Sequence, residues 1–309
     1  MYYKLIILFK LLRIMQFQVF SDTHFEMQRG IPIHINKYAD NLILAGDISS
    51  HWHSSLYEFL NYASETWNHV FYVPGNHEFY CFDKNNIRDY QEIDLRYRKQ
   101  IKKRYKNVYY LNNNAVWFDG NNVYEYPSSN AICIIGSTLW SSPDYGIELK
   151  INDFYKIYTS KNNTSSKIYS DKLELVPISV GEMKSENIIS IEYIQKKLIF
   201  NKEHYGIDAK SIVITHFPPV HGGTSSIRHI GEDSIIKSYY ANKLDDFIKN
   251  NPQIKWWIFG HTHHAAVIDK YETYLLSNAI GYPDEQISRK HIIAYQKNVR
   301  DIYSCVFET

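Results

Sequence analysis

This chain has little cysteine, little net charge and no long apolar run beyond its first residues. Its three cysteines, Cys81, Cys133 and Cys305, are too few and too scattered for a disulfide framework or a cysteine-based zinc site. The formal net charge of +1 creates no global field that would attract nucleic acid or anionic membranes. No later stretch reaches the ~18 apolar residues of a membrane span. We therefore expect a cytoplasmic protein in a reducing compartment, without stable membrane association.

Residues 1–12 form an apolar segment that contains two lysines, and Arg13 follows it. Lys4 and Lys10 break the run, and the small-residue cleavage site of a signal peptide is missing. We expect residues 1–14 to be an N-terminal extension or the product of an upstream start codon, with a weak membrane anchor as the alternative. The remaining residues, 15–309, are predicted to form a single domain and are numerous enough for a large core.

Five short apolar runs each end in a side chain that binds metals. Each run opens as a buried β-strand, rich in Val, Ile, Phe and Trp, and closes on Asp, His or Asn. The runs cover residues 17–24, 42–47, 70–78, 211–216 and 256–263. In an open α/β sheet, ligands and reaction centres collect at the carboxyl ends of the strands. The pattern therefore predicts one polynuclear metal site built from several strand ends.

The segments between these runs have helical or short-strand patterns. Apolar residues at helical spacing predict helices over 56–67, 86–105, 183–200 and 234–249. Short strands broken by Asn and Gly are predicted at 108–111, 115–118, 123–126 and 131–135, with a closing hairpin at 265–268 and 273–277. Strand–helix units at both ends with a strand-rich middle predict a mixed α/β fold, in which two packed sheets are flanked by helices.

The residue types at the strand ends indicate which metals the site would take. Asp, His and Asn without Cys form a hard-to-borderline ligand set that suits Mn, Fe or Zn in a hydrolytic site. Two ions about 3.5–4 Å apart need a bridging carboxylate with further ligands on each side. Asp47 follows a strand and Gly46, so it is the natural bridge. Such a pair of ions can lower the pKa of a bridging water and hold a phosphoryl group for in-line attack.

These motifs resemble those of the calcineurin-like metallophosphoesterase superfamily. Its pattern of D-x-H, G-D, G-N-H-[ED], a strand-terminal H and G-H-x-H is matched at Asp22/His24, 46–47, 75–78, His216 and 260–263. A bacterial-type subgroup adds G-x-T-L-W, N-D-[FY]-x-x-I and N-x-x-G-Y-P, which are matched at 136–140, 152–157 and 278–283. The resemblance covers about residues 15–283 and implies a four-layer α-β-β-α sandwich.

The resemblance also implies roles for individual residues. One divalent ion would bind Asp22, His24, Asp47 and His263, and a second would bind Asp47, Asn76, His216 and His261. A hydroxide held between the two ions would be the nucleophile. His77 would assist the leaving oxygen as a general acid, or it would contact the phosphate.

Two departures narrow the family. Protein Ser/Thr phosphatases extend G-D into G-D-x-x-D-R-G, where the second Asp orients the catalytic His. That Asp is absent from residues 46–50 here, which argues against a protein phosphatase and leaves the partner of His77 open. Ser50 stands where purple acid phosphatases have a metal-binding Tyr, so an Fe(III)–tyrosinate centre is not expected.

Two further residues are candidate substrate contacts. Arg228 lies in a Gly/Ser-rich loop after His216 and could hold a phosphate, although an exposed loop arginine explains it equally well. His51 follows Asp47 closely and could touch the substrate, although a surface loop histidine is an equal alternative.

We therefore predict a metal-dependent hydrolase of a small phosphate ester, acting as a phosphomonoesterase or a phosphodiesterase. A nuclease of the same superfamily is the alternative, which the near-neutral charge does not favour. A non-catalytic binding scaffold of the same fold is the other alternative, but all the ligand positions and His77 are filled. The sequence leaves the oligomeric state open.

Overall fold

A computed structural model describes residues 15–28, 35–83, 85–161, 174–226, 234–283, 285 and 306–309. The predicted extension, residues 1–14, lies outside this part of the chain. The first sheet has five strands in the order β14-β1-β2-β3-β4. These strands are β1 (Gln16–Phe20), β2 (Asn41–Ala45), β3 (His69–Val73), β4 (Val108–Tyr110) and β14 (Val306–Glu308). β1 to β4 are parallel to one another, and β14 is antiparallel to β1.

The second sheet has seven strands in the order β12-β13-β11-β10-β7-β5-β6. They are β5 (Asn114–Phe118), β6 (Val123–Tyr124), β7 (Ile132–Ser137), β10 (Ser211–Thr215), β11 (Ile254–Ile258), β12 (Ala266–Lys270) and β13 (Thr273–Ser277). β10 is parallel to β7 and β11, and β11 is parallel to β13. β12 and β13 form the predicted antiparallel hairpin. A separate two-stranded sheet pairs β8 (Tyr158–Ser160) with β9 (Leu175–Pro177).

The two large sheets face each other across an apolar core, and helices cover their outer faces. Successive residues of β2 point to opposite sides: Ile43 packs between the sheets, whereas Leu42 packs under the helices. Both faces of the strand are buried, which explains its continuous apolar run. The helices are α1 (Ser55–Thr66), α2 (Tyr90–Arg104), α3 (Asp153–Lys156), α4 (Val180–Tyr205), α5 (Ser234–Tyr240) and α6 (Asp245–Lys249). The predicted four-layer α-β-β-α sandwich is confirmed.

The longest described helix, α4, covers the second sheet. It begins with a capping box, in which Ser179 and Glu182 each accept a hydrogen bond from the other's backbone N–H. Its buried Asn201 accepts a hydrogen bond from Trp117 of β5 at 2.9 Å, which ties the helix to the sheet. In the described part of the chain, no helix combines the length and the apolar character that crossing a membrane requires.

The prediction of one helix over 234–249 is wrong, because the structure has two helices there. The interruption contains Asn242, which is buried and donates its backbone N–H to Pro218 O at 3.0 Å. The Asn242 side chain also accepts from Asn187 of α4 at 2.8 Å and donates to Trp140 O at 2.9 Å. These tertiary hydrogen bonds take the backbone out of the helical conformation that the local sequence favours.

Candidate metal centre

The carboxyl ends of five strands from both sheets meet at one edge of the sandwich. The seven predicted ligands lie just after β1, β2, β3, β10 and β11. Backbone hydrogen bonds join these strand ends: Asp22 N–H donates to Gly46 O at 2.9 Å, and Gly260 N–H donates to His216 O at 2.9 Å. His216 Nδ1 lies 2.9 Å from Ala45 O, which links the two sheets directly. The structure therefore brings all seven predicted ligands together.

The backbone at this edge is held in an uncommon conformation. Five of the seven predicted ligands have a positive φ: Asp22 (55°), His24 (44°), Asp47 (53°), His261 (72°) and His263 (50°). Such a backbone is costly for residues other than glycine and persists where the surroundings enforce it, often at functional sites. Gly46 has φ 85°, and a Cβ there would lie 2.7 Å from Gly75 N. Glycine at position 46 lets the two loops approach closely.

The donor atoms form two groups that share Asp47. In the first group, His24 Nε2 lies 3.0 Å from His263 Nε2, and His263 Nε2 lies 3.7 Å from Asp22 Oδ1. Asp47 Oδ2 lies 3.8 Å from His24 Nε2 and 3.3 Å from His216 Nε2. In the second group, His216 Nε2 lies 3.0 Å from Asn76 Oδ1. Asp47 thus stands between the two groups, where the sequence predicts a bridge.

The arrangement of these donors fits a cation. Two imidazole nitrogens face each other at 3.0 Å, and His261 Nε2 is buried without a hydrogen-bond partner among the described residues. Burial first, and then His216, lower the pKa of His261 well below its usual value, so its ring is neutral. Three sets of residues each offer ligand atoms that lie within 4.8 Å of one another. These sets are Asp22/His24/His263, His24/Asp47/His77 and Asp22/Asp47/His216. Buried nitrogen and carboxylate donors converging in this way suit a divalent metal ion.

Outer partners orient several of these ligands. His263 Nδ1 lies 2.5 Å from Glu285 Oε2, which directs the Nε2 of the ring toward Asp22. Asn76 Nδ2 donates to Asp153 Oδ1 at 2.9 Å, which turns the amide oxygen of Asn76 toward His216. Asp153 lies in the motif at 152–157, which alone does not indicate this role, and no sequence pattern indicates a role for Glu285. Contacts of this kind fix the tautomer and orientation of metal ligands.

Glu78 shapes the loop that carries Asp47. Its carboxylate is fully buried and accepts from the backbone N–H groups of Asp47 at 2.9 Å, Ile48 at 2.8 Å and Gly75 at 2.7 Å. It also accepts from the hydroxyl of Tyr72 at 2.9 Å. Burial, together with the charge of Asp47, raises the pKa of Glu78 to about 7. This side chain saturates the backbone donors of two strand-end loops, a role that the motif alone did not indicate.

His77 lines a cavity beside these groups. Its backbone N–H donates to Asp47 Oδ1 at 2.9 Å, and its ring stacks on Tyr80 with centroids 4.1 Å apart. Its Nδ1 lies 3.4 Å from Glu26 Oε1, and its Nε2 lies 3.4 Å from the hydroxyl of Tyr282. Although burial lowers it, the pKa of His77 is raised overall because Asp47 and Glu26 stabilise the charged ring.

Glu26 is the partner of His77 that the sequence analysis left open. A signal was available, because Glu26 follows His24 by two positions in the D-x-H segment. Burial opposes its ionisation, but the contacts with His24 and His77 hold the pKa of Glu26 at about 2. A carboxylate therefore lies beside His77, on a different element from the Asp of the protein phosphatases.

The cavity has a volume of about 330 Å³ and an aromatic wall. Its lining includes Tyr80, Tyr239, Tyr240, Tyr282 and Lys150, besides Asp47, Asn76, His77, His261 and His263. His51 does not line this cavity; it lies in a separate one of about 90 Å³ with Tyr57 and Arg96. Arg228 lies outside the described residues. The structure therefore places His51 away from the centre, whereas a role for Arg228 stays a prediction.

Comparisons with known proteins identify a family and a solved structure of similar fold. Residues 15–265 match the model of a family described as calcineurin-like phosphoesterase. The chain is 28% identical over 253 residues to an uncharacterized protein of Acanthamoeba polyphaga mimivirus, covering 79% of each chain. A solved phosphopantetheinyl hydrolase from Mycobacterium tuberculosis is 14% identical, with a TM-score of 0.61 over 89% of this chain and 92% of that one, a similarity of fold alone. The family match spans most of the sequence, so this chain belongs to the calcineurin-like phosphoesterase family.

Proposed function

We propose that the chain hydrolyses a small phosphate ester, a monoester or a diester, with two divalent ions (Mn, Fe or Zn) bound at the strand ends. The family match supports a metal-dependent phosphoesterase. The observation that carries the finer proposal is the position of Asp47 Oδ2, 3.3 Å from His216 Nε2 and 3.8 Å from His24 Nε2. One carboxylate oxygen between two histidine groups is the geometry that a bridging ligand needs.

In this proposal seven residues bind the metal ions, and His77 transfers a proton. Asp22, His24, Asp47 and His263 would hold one ion, and Asp47, Asn76, His216 and His261 would hold the other. Divalent ions at such a site supply Lewis acidity, which activates water and neutralises charge on a phosphoryl group. Glu78 keeps the loop of Asp47 in place by accepting hydrogen bonds from its backbone N–H groups.

His77 would donate a proton to the oxygen that leaves. Its Nδ1 faces Glu26 and its Nε2 faces Tyr282 in the cavity, so the Nε2 proton of the charged ring would point toward the space that the substrate would occupy. A general acid at this position protonates a departing alkoxide, which is typically worth 10²–10⁴-fold in rate. The acid is reprotonated from solvent through the open side of the cavity.

Two features favour a small ester over nucleic acid as the substrate. The cavity of about 330 Å³ is within the range of small-molecule sites. The net charge of +1 provides little of the phosphate-backbone attraction on which nucleic-acid binding depends. A scaffold role is disfavoured because the predicted ligands are all present and converge.

Metal analysis and a substrate panel test this proposal. Purified chain loaded with Mn²⁺ and then desalted is expected to hold about two equivalents by elemental analysis, and to hydrolyse at least one monoester or diester. His216→Asn is expected to lower the metal content, whereas His69→Asn, a change at the start of β3, serves as the matched control. A saturating metal content of zero or one equivalent would contradict the dinuclear site. Failure to hydrolyse any ester of the panel would contradict the proposed activity.

A further inference from the structure

We propose that Glu26 is the positioning residue for both His77 and His24, taking the place of the Asp that the family's protein phosphatases use to orient the catalytic His. The proposal rests on the proposed function for its catalytic part, because His77 matters as an acid only if an ester is cleaved. Its structural part stands on geometry alone. One buried carboxylate would then couple a metal ligand to the leaving-group acid.

The contacts of Glu26 are shared evenly between the two rings. Its Oε1 lies 3.4 Å from His24 Nδ1 and 3.4 Å from His77 Nδ1, and its side chain is 1% exposed. The centroids of the two rings are 4.4 Å apart, with 71° between the ring planes. Because a carboxylate can only accept hydrogen bonds, Nδ1 of each ring is the donor and Nε2 is presented elsewhere; His77 carries a second proton, on Nε2, when it is charged and able to act as the acid.

The directions of the two Nε2 atoms show what this arrangement achieves. His24 Nε2 points toward His263 Nε2 at 3.0 Å and Asp47, the first donor group of the candidate metal centre. His77 Nε2 points toward the hydroxyl of Tyr282 in the cavity. Without the acceptor at position 26, either ring could rotate or change its tautomer, and each Nε2 would lose its orientation.

Glu26 belongs to an element that the rest of the fold holds firmly. The 3-10 helix Phe25–Met27 follows β1, and Phe25 N–H donates to Ile48 O at 3.0 Å. The buried Phe25 ring packs against Phe59 of α1, with centroids 5.0 Å apart. Met27, in contrast, is 48% exposed. A carboxylate on a rigid element positions its partners more accurately than one on a loose loop.

Variants of Glu26 test the proposal through three readouts. Glu26→Ala removes the acceptor, Glu26→Gln keeps an oxygen acceptor without the charge, and Met27→Leu is the matched control on the same 3-10 helix. In the metal-free protein, at a pH where the His77 ring is neutral, ¹⁵N NMR of labelled histidine rings is expected to show the Nδ1–H tautomer of His77 in wild type and Glu26→Gln, and its loss in Glu26→Ala. Titration with Mn²⁺ is expected to show an affinity about 10–100-fold lower for Glu26→Ala.

The third readout is the dependence on the leaving group at saturating Mn²⁺. Glu26→Ala is expected to lower turnover of an alkyl phosphate roughly 10–100-fold and that of p-nitrophenyl phosphate much less, because nitrophenolate departs without protonation. Glu26→Gln is expected to fall between wild type and Glu26→Ala. If Glu26→Ala does not fold, as judged by circular dichroism, Glu26→Gln alone decides the test by its Mn²⁺ affinity and its leaving-group dependence.

The outcomes separate this proposal from the function on which it rests. An unchanged His77 tautomer together with an unchanged Mn²⁺ affinity in Glu26→Ala would overturn it. Equal losses for both esters with an unchanged tautomer would also overturn it, since they indicate a structural role. If wild type cleaves neither ester, the proposed function fails, while the tautomer and the Mn²⁺ affinity still show whether Glu26 positions the two histidines.

Discussion

Two 3-10 helices flank the candidate metal centre, and each contains a buried glutamate with a different set of partners. Glu78, in His77–Phe79, accepts hydrogen bonds from the backbone of two strand-end loops and from Tyr72. Glu26, in Phe25–Met27, contacts two imidazole rings, and its Oε2 has no hydrogen-bond partner among the described residues. Both glutamate side chains are buried, but Glu78 holds the backbone of two loops, whereas Glu26 contacts the side chains of two histidines.

The pKa values of the two glutamates differ because of neighbouring charges and donors, and not because of burial alone. Burial and the neighbouring Asp47 raise the pKa of Glu78 to about 7. Burial acts in the same direction on Glu26, but contacts with His24 and His77 hold its pKa at about 2. The negative charge of Asp47 opposes the ionisation of Glu78, whereas the imidazoles of His24 and His77 favour that of Glu26. A buried acid facing backbone is thus a scaffold, and one facing histidines is a candidate for function.

The largest effect is expected from a substitution of Asp47. This residue lies in the loop whose backbone donates hydrogen bonds to Glu78. Asp47→Asn should lower the rate of ester hydrolysis on the order of 10³-fold, because this side chain contacts both donor groups. Asp22→Asn should cause a smaller loss, because Asp22 would bind only one of the two proposed ions. The measurement is kcat at saturating Mn²⁺. A greater loss in Asp22→Asn would show that the bridge is assigned to the wrong residue.

The next largest effect is expected from His77, whose backbone belongs to the Glu78 region and whose ring contacts Glu26. His77→Asn should lower hydrolysis of an alkyl phosphate by roughly several hundredfold, because a poor leaving group needs a proton. The loss should be much smaller with p-nitrophenyl phosphate, and the metal content should not change. Equal losses of rate for the two esters would favour phosphate binding over acid catalysis. No loss of rate would leave His77 with only a structural role in the turn that contains it.

Stability measurements compare the two glutamates directly. Glu78→Gln places an amide NH₂ against backbone N–H donors, and it is expected to lower the free energy of unfolding by about 3 kcal/mol. Glu26→Gln should lower it by less, since its partners are side chains that can move. Urea unfolding of the metal-free variants measures both, with Glu92→Gln on the exposed face of α2 as the control. Equal destabilisation by the two substitutions would break the distinction between scaffold and positioning residue.

The smallest effect concerns His51, which follows the loop held by Glu78 but lies outside the cavity. Burial lowers the pKa of His51 from 6.5 to about 4. Between pH 6.5 and pH 4, His51 binds a proton in the unfolded chain but not in the folded chain. The free energy of unfolding is therefore undiminished above pH 6.5 and falls as the pH drops toward 4. Between pH 7 and pH 5, the free energy of unfolding of wild type should fall by about 2 kcal/mol more than that of His51→Gln.

Urea unfolding at the two pH values measures this difference, and His204→Gln, a change at an exposed histidine of α4, supplies the control. The same loss in wild type and His51→Gln would show that His51 is more hydrated than its position indicates. An accompanying change in ester hydrolysis would place His51 near the substrate after all, as one of the two alternatives from the sequence has it.

The sequence by itself determined the architecture and the residues that converge. Apolar runs ending in Asp, His or Asn are local patterns, and parallel strands bring their carboxyl ends to one edge whatever the loops between them do. That is why Asp47, His216 and His261 could be assigned to one place without any knowledge of distances. The packing of two sheets between helices followed from the order of the elements in the same way, and the structure confirms it.

Only the tertiary structure decided which side chains support those residues. Local propensity favours one helix over 234–249, but buried Asn242 breaks it through partners on other elements. Glu26 and His77 are 51 positions apart, and Asn76 and Asp153 are 77 apart. Each pair meets because the fold closes a long loop of chain, and no short motif contains that information. A hydrogen bond depends on a few tenths of an ångström between two atoms, and such distances are set by packing across the whole domain.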